Sequence, residues 1–473
     1  MPFPYKKMDE KDFAYIRSVT DPARVWVGDA IAREYYHDEM PEYGVFPPEL
    51  YVEVLNKEEV SAIMKYAWEN NIPVVPRGAG TGLAGGANCK YGGIMLSLMK
   101  MNKVFPVDIQ NMTVTAQPGA LITEVAAAAS AAGLFYPPDP GEKTASIGGS
   151  IITNAGGMRA VRYGVTRDYV RCIEAVMPNG EIMHFSSNVV KNTTGFDIKD
   201  LIVGSEGILC ICTEVTLKLI PAPNCTCTLV LPFRDLETCI DCVPALLRLP
   251  FVPTAVEFLE RELIDIVEQT LHKMLPVREG EAVLIVMYDA SSQEELANCC
   301  DAAAKAALAA GALDVALANT PERIGSVWSV RGSILEGMKA YSIAQEECDV
   351  VVPRARIAEF VKAAKQICLA RGVVVEPCGH AGDGNIHTEL LRMPGQMTDE
   401  EWKSATHDCL VELYAKSKEL GGQLSGEHGI GNGRLEFLEE FLGTPMLDLF
   451  KSIKLAFDSK LILNPGKMIE FNQ

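Results

Sequence analysis

The sequence predicts a multidomain α+β protein, and three observations carry that reading. The chain has 473 residues, more than one compact core accommodates, so two or three domains are expected. Helix-like and strand-like apolar patterns follow one another along it. Glycine-rich loops punctuate its first 210 residues.

Taken in order, Glu58 to Asn71 shows helical apolar spacing, and Ile72-Pro73-Val74-Val75 reads as a short strand. A glycine loop follows, from Arg77 to Gly86. Its Gly80, Gly82 and Gly85 satisfy G-x-G-x-x-G, but the nicotinamide-dinucleotide fingerprint requires a helix to begin inside the motif. Ala87 to Gly93 cannot start one, and Ile94 to Leu98 reads as another strand. The loop still suits a pyrophosphate, because successive backbone N–H groups form an anion-binding nest. Strand and turn patterns continue through Val114–Gly119, and a helix is expected from Leu121 to Ala132. Proline density forbids regular structure from Tyr136 to Gly141. Gly141-Glu142-Lys143-Thr144 lacks the second glycine of a phosphate loop. Ser146 to Gly157 reads as a second glycine-rich loop, and Gly204 to Ile208 as a third, before a strand ending at Pro221. A cofactor with an extended phosphate chain explains three such loops better than plain turns do.

Beyond Pro221-Ala222-Pro223, Cys225 and Cys227 alternate with threonines and share a strand face with Leu229 and Leu231, and Cys239 and Cys242 fall on a helix. Four cysteines so placed pack as small hydrophobes rather than hold a metal. Ala282–Val286 reads as a strand and Arg356–Ala370 as a helix.

A net charge of -19 opposes nucleic acid and anionic membrane surfaces. No run approaches the roughly 20 apolar residues of a membrane span. No signal peptide is visible, and the 14 cysteines then fit a reducing, cytoplasmic setting.

Three of the seven histidines sit in two glycine-rich motifs, Gly379-His380-Ala381-Gly382-Asp383-Gly384-Asn385-Ile386-His387 and Ser425-Gly426-Glu427-His428-Gly429-Ile430-Gly431. His380, His387 and Glu427 form a donor set for one divalent metal, iron, zinc or manganese, with a position left open. His428 beside them is a candidate general base. His37, His184, His272 and His407 lack such a setting and read as structural or solvated.

These segments together resemble a known family. Pro76–Gly82, Ile147-Gly148-Gly149 with Thr153–Gly157, and Gly204–Gly207 resemble the FAD-binding domain of the vanillyl-alcohol-oxidase and p-cresol-methylhydroxylase superfamily. The two histidine motifs and Leu463-Asn464-Pro465-Gly466-Lys467 resemble its glycolate-oxidase and D-lactate-dehydrogenase branch. Phe135–Lys143 and Met158–Val170 are most similar to lactate dehydrogenases that work with an electron-transfer flavoprotein.

The resemblance implies a two-part FAD domain over 1–222, an α+β cap over 223–457 and a tail over 458–473 returning to the flavin. FAD contacts are implied at Arg77, Gly78, Ala79, Gly80, Thr81 and Gly82, then at Asp139 and Thr144. Further along they are implied at Gly148, Gly149, Thr153, Asn154, Gly157 and Gly164, and finally at Glu206, Gly207, Ile208 and Asn464. With no histidine from Pro76 to Asn88, the flavin is expected to be noncovalent. The implied reaction is oxidation of a small D-2-hydroxy acid, D-lactate foremost, with Arg331 gripping the carboxylate. Electrons would pass to the alpha and beta subunits of an electron-transfer flavoprotein, with coupling to NAD by bifurcation. Glycolate and D-2-hydroxyglutarate are the alternative substrates; Glu346, Glu347 and Glu389 disfavour a dicarboxylate if they face the pocket. An electron-carrying flavoprotein subunit without a substrate is the other class, but it needs none of His380, His387, Glu427, His428 and Arg331.

Overall fold

The computed structural model describes residues 5–471. Two compact units divide the chain: the residues up to Ala155 with Val165–Ala222 and those from His428 onward, and Gly156–Gly164 with Pro223–Glu427. The divide after Ala222 lies at the proline-rich junction. The chain re-enters the first unit at His428, thirty residues before the expected 458. The cause is local bonding: Ile430 and Gly431 donate their N–H groups to Glu206, at 2.6 and 2.7 Å, and Phe450, Ile453 and Phe457 pack on Ile208, Leu209 and Ile469.

In the first unit the expected helix runs Lys57–Asn70. The Asn56 side chain accepts from Glu59 N to cap its start, and Asn71 closes it at φ 54. Val60, Ile63, Met64 and Ala67 form its buried stripe. They pack with Leu50, Val52, Val74, Ile94 and Leu96. Those strand residues belong to a four-stranded sheet in the order Val25–Val27, Leu50–Glu53, Ile94–Ser97, Val74–Arg77. The last of these begins two residues later than the sequence expectation. It is an edge strand, and Leu463 bridges its outer side at Val74. A second, antiparallel sheet runs Thr113–Ala116, Ile211–Lys218, Val170–Val176, Ile182–Phe185.

One expected loop is a helix. Gly148 and Gly149 lie inside Ile147–Thr153, despite the poor helix propensity of glycine. Ser146 caps this helix by accepting from Gly149 N. Gly148 packs so closely on Pro118 that a Cβ would lie 2.5 Å from it. Tertiary packing therefore sets both the helix and its composition. The G-x-G-x-x-G segment starts no helix, as its sequence indicates.

The second unit is built on seven antiparallel strands in the order Ala316–Ala318, Cys225–Phe233, Ala282–Ala290, Ala255–Glu260, Val374–His380, Asn385–Arg392, Ala344–Val351. On one face, Val230, Leu259, Val283, Ile285, Cys378 and Leu391 meet Leu263, Ile264, Val267, Val327, Val330, Ile334 and Met338 from three helices. The helices Leu236–Leu247 and Gln293–Ala309 also pack on this sheet. Cys239 and Cys242 are buried in the first of them, and no candidate metal group among the described residues contains a cysteine. No described helix is long and apolar enough to cross a membrane.

Candidate active site

In the second unit the two histidines expected on a glycine-rich segment sit on central strands instead. His380 ends Val374–His380, and His387 lies in Asn385–Arg392. The two strands pair in register, so the short turn between them sets the imidazoles near each other. His380 Nε2 and His387 Nε2 are 3.4 Å apart. Glu427 Oε1 lies 3.6 Å from the first and 3.5 Å from the second. The centre of such a triangle is about 2 Å from each corner, the usual metal–nitrogen and metal–oxygen length. The three donor atoms lie close enough to share one ion, so this set fits a divalent ion in both chemistry and spacing.

Buried carboxylates hold the triangle. Glu257 is fully buried in the apolar strand Ala255–Glu260. Its Oε1 lies 2.7 Å from His380 Nδ1, and its Oε2 accepts from Arg331 Nε at 2.8 Å. Burial alone would raise its pKa, but His380 and Arg331 outweigh burial and hold it below the usual carboxylate range. Burial likewise opposes charging of His380, yet Glu257 and Glu427 overcome it and raise the imidazole well above its ordinary value. Asp349, also fully buried, organises the second motif. Its Oδ2 accepts from Ser425 Oγ at 2.8 Å and from the N–H groups of Gly426 and Glu427, each at 3.0 Å. Its Oδ1 accepts from Asn385 Nδ2 at 2.7 Å. Gly426 approaches so closely that a Cβ would stand 2.1 Å from Asn385 Nδ2. Glu347 Oε1 lies 3.3 Å from His387 Nδ1. Asp383, pushed up to about 6 by burial, accepts from Asn385 N and shapes the turn.

The expected cofactor residues of the first unit centre on the loop after Val74–Arg77. Among the described residues, the N–H groups from Gly78 to Leu83 make no hydrogen bond. Six such donors in a row fit a pyrophosphate. Arg77 donates to His37 O at 2.8 Å and Glu34 O at 3.3 Å. Gly80 has φ +79, and a Cβ there would stand 2.2 Å from Arg77 Nη2. Ala79, Thr81 and Gly82 complete the loop. Thr153 donates to Gly149 O, and Asn154 closes the helix at φ 52 while accepting from Arg167 N. Gly207 and Ile208 follow Glu206, whose carboxylate is committed to Ile430 and Gly431. Asn464 donates to Gly86 O and Glu206 O at 3.1 and 2.9 Å, leaving a buried Oδ1 with no partner among the described residues. That orphaned acceptor and the amide row together fit a flavin dinucleotide. Asp139 is paired with Lys143, and Thr144 with Glu142. Gly157 and Gly164 lie in the 156–164 segment of the second unit, whereas His428 lies in the first.

Models of known families match most of this chain. The C-terminal domain of FAD-linked oxidases covers residues 222–468, and an FAD-binding domain covers 48–186. A D-lactate dehydrogenase of Anaerostipes hadrus is 44% identical over 452 residues, 94% of this chain and 95% of that one. The chain belongs to the FAD-linked oxidases. A glycolate oxidase subunit GlcD of Bacillus subtilis is 34% identical over 92% of this chain and 91% of its own. Among solved structures, 4-ethylphenol oxidase from Gulosibacter chungangensis superposes with a TM-score of 0.79 at 17% identity, over 98% of this chain and 97% of that one. p-Cresol methylhydroxylase gives 0.78 at 17% identity over the same shares. At that identity the likeness concerns the fold, which is the p-cresol-methylhydroxylase type expected from the glycine segments. This FAD-linked oxidase is therefore a flavoprotein oxidoreductase.

The sequence alone marked neither Glu257 nor Asp349, and it marked Glu347 only as a charge that disfavours a dicarboxylate. Glu257 carried a signal, a lone charge inside the apolar strand run Thr254-Ala255-Val256-Glu257-Phe258, whereas Glu347 and Asp349 lie in the acidic run Glu346-Glu347-Cys348-Asp349. Such a charge is buried only when it is paired.

Proposed function

We propose that this chain oxidises a small D-2-hydroxy acid, D-lactate foremost, to the 2-oxo acid. The observation that carries the reading is the triangle of His380, His387 and Glu427, tied through Glu257 to Arg331. An electron carrier has no use for it. Arg331 spends its Nε on Glu257, and its remaining N–H groups bind the substrate carboxylate. A divalent ion held by His380, His387 and Glu427 would supply positive charge that favours loss of the substrate's hydroxyl proton. His428, next in the chain to Glu427, takes that proton. FAD, held noncovalently by the Gly78–Leu83 amides and Asn464, supplies the hydride acceptor. The names borne by the relatives, D-lactate dehydrogenase and glycolate oxidase subunit, support this substrate class.

A monocarboxylate fits better than a dicarboxylate. Glu347 stands opposite Glu389 in register, both are buried, and both lie on the strand face that carries His387. A second carboxylate placed there meets two others. For the electron acceptor, the resemblance of Pro137–Lys143 and Met158–Val170 supports an electron-transfer flavoprotein, with coupling to NAD by bifurcation.

Anaerobic mixing with D-lactate, glycolate and D-2-hydroxyglutarate tests the substrate: D-lactate should bleach the flavin fastest. No bleaching by any of the three refutes the reading. Rapid peroxide formation in air with D-lactate, unchanged by added electron-transfer flavoprotein, would show an oxidase and refute the proposed acceptor.

A further inference from the structure

We infer that Glu257 is a positioning residue that sets the substrate's carboxylate grip and the metal centre relative to each other. The inference rests on the functional reading above and extends it to a residue that touches neither substrate nor metal. The two oxygens of this one carboxylate serve two different groups. Oε1 lies 2.7 Å from His380 Nδ1, with Oε2 at 2.9 Å from the same nitrogen, while Oε2 also accepts from Arg331 Nε at 2.8 Å. An imidazole that gives its Nδ1–H to a carboxylate presents Nε2 as a lone pair. His380 Nε2 is the atom that faces His387 and Glu427. Glu257 thus selects the tautomer that can bind a metal.

Packing alone does not account for this residue. Glu257 lies between the buried Val256 and Phe258, with Ile285 and His380 as register partners. Removing a carboxylate from water costs several kcal/mol, and well-packed apolar residues in place of a buried ion pair are often neutral or stabilising. A strand built only for stability would carry an apolar residue here. The geometry also suits the substrate class. A 2-hydroxy acid bears its carboxylate and hydroxyl on adjacent carbons, so the groups recognising them need a fixed separation. Arg331 arrives on the helix Pro321–Arg331 and His380 on a strand; Glu257 joins the two.

The test uses the full-length flavoprotein and zinc as the probe. In Glu257→Gln, one oxygen becomes an NH₂ that opposes either Arg331 Nε–H or His380 Nδ1–H. Flavin content should be unchanged. Zinc affinity, read by competition with a chromophoric chelator, should fall roughly 10- to 100-fold, and the KM for D-lactate should rise together with it. Glu257→Asp, which keeps the charge, should recover part of both. Zinc affinity within twofold of wild type in folded Glu257→Gln would overturn the positioning role while leaving the metal centre standing. Wild-type protein that takes up no zinc would overturn the centre itself, and the positioning role with it. A second readout needs no variant: in ¹⁵N-histidine spectra of the wild-type flavoprotein loaded with zinc, His380 should carry its proton on Nδ1. A proton on Nε2 would overturn the inference even if Glu257→Gln failed to fold.

Discussion

Asp349→Asn should disconnect Glu427 from the two histidines with little change in shape. The carboxylate of Asp349 accepts three hydrogen bonds on Oδ2, from Ser425, Gly426 and Glu427, and one on Oδ1 from Asn385. Each of these four partners is a donor, and the side chain is fully buried. If the asparagine oxygen keeps the three-donor side, each of those bonds loses its charge assistance, about 1 kcal/mol apiece. Its NH₂ then faces the Asn385 NH₂, and that unmet donor costs about 1–3 kcal/mol more. The sum, roughly 4–6 kcal/mol, is a large part of the 5–15 kcal/mol that holds an ordinary domain together. Releasing residues 425–427 from Asp349 costs less than global unfolding, so the strain should appear locally. Zinc content after dialysis should fall sharply, with a smaller loss in the urea midpoint followed by tryptophan fluorescence. Asp349→Asn with wild-type zinc content and an unchanged midpoint would refute this account of how Glu427 is held.

Acid precipitation should release all flavin into the supernatant, and flavin retained in the pellet would show a covalent link. Gly80→Val should lower flavin occupancy at least tenfold, because it forces a branched residue to φ +79 against Arg77, whereas Gly82→Ala, whose Cβ would be 3.7 Å from its nearest neighbour, should keep it. Stopped-flow reduction of His428→Ala by D-lactate should be roughly 10²–10⁴-fold slower with metal retained, the range for a lost general base; a normal rate would remove His428 from the mechanism. Burial, aided by Glu262, pushes Glu376 up to about 7, so between its ordinary range and that value the unfolded chain ionises this carboxyl and the folded chain does not. Stability should therefore fall as pH rises through that window, and Glu376→Gln should gain on the order of 2–3 kcal/mol over the parent at pH 8 but nothing at pH 4; an equal difference at both would mean the residue does not titrate there.

Local periodicity and turn chemistry made the helix Lys57–Asn70 and the helix-free G-x-G-x-x-G loop legible in the sequence, since each depends on residues close together in the chain. The helix at Ile147–Thr153 was not legible, because what favours it is Pro118 packed on Gly148, a contact across thirty positions that overrides glycine's propensity. His380, His387 and Glu427 were legible as a donor set by residue type and glycine context. Their supports were not. Glu257 and Asp349 come from strands far along the chain, and only the register of the seven-stranded sheet places the first opposite His380 and the second opposite His387. Strand order of that kind is a property of the whole unit, and no window of sequence contains it.

The bridge between Val74 and Leu463 has a consequence for biosynthesis. Val74 N donates to Ile462 O and Asn464 N donates to Val74 O, both at 2.8 Å, so the strand leading into the Gly78–Leu83 loop finds its outer partner only in a segment far downstream of it. While the ribosome is still making the intervening residues, that strand presents an open row of amides and carbonyls, the kind of edge on which nascent chains aggregate. The first unit therefore completes only once residues 462–464 have been made, with the slow closure expected of distant pairings. If Asn464 holds the dinucleotide as proposed, loading belongs to the same step, because Asn464 arrives on that segment. A ribosome stalled before residue 462 leaves a chain whose second unit has all its strands and whose first cannot close.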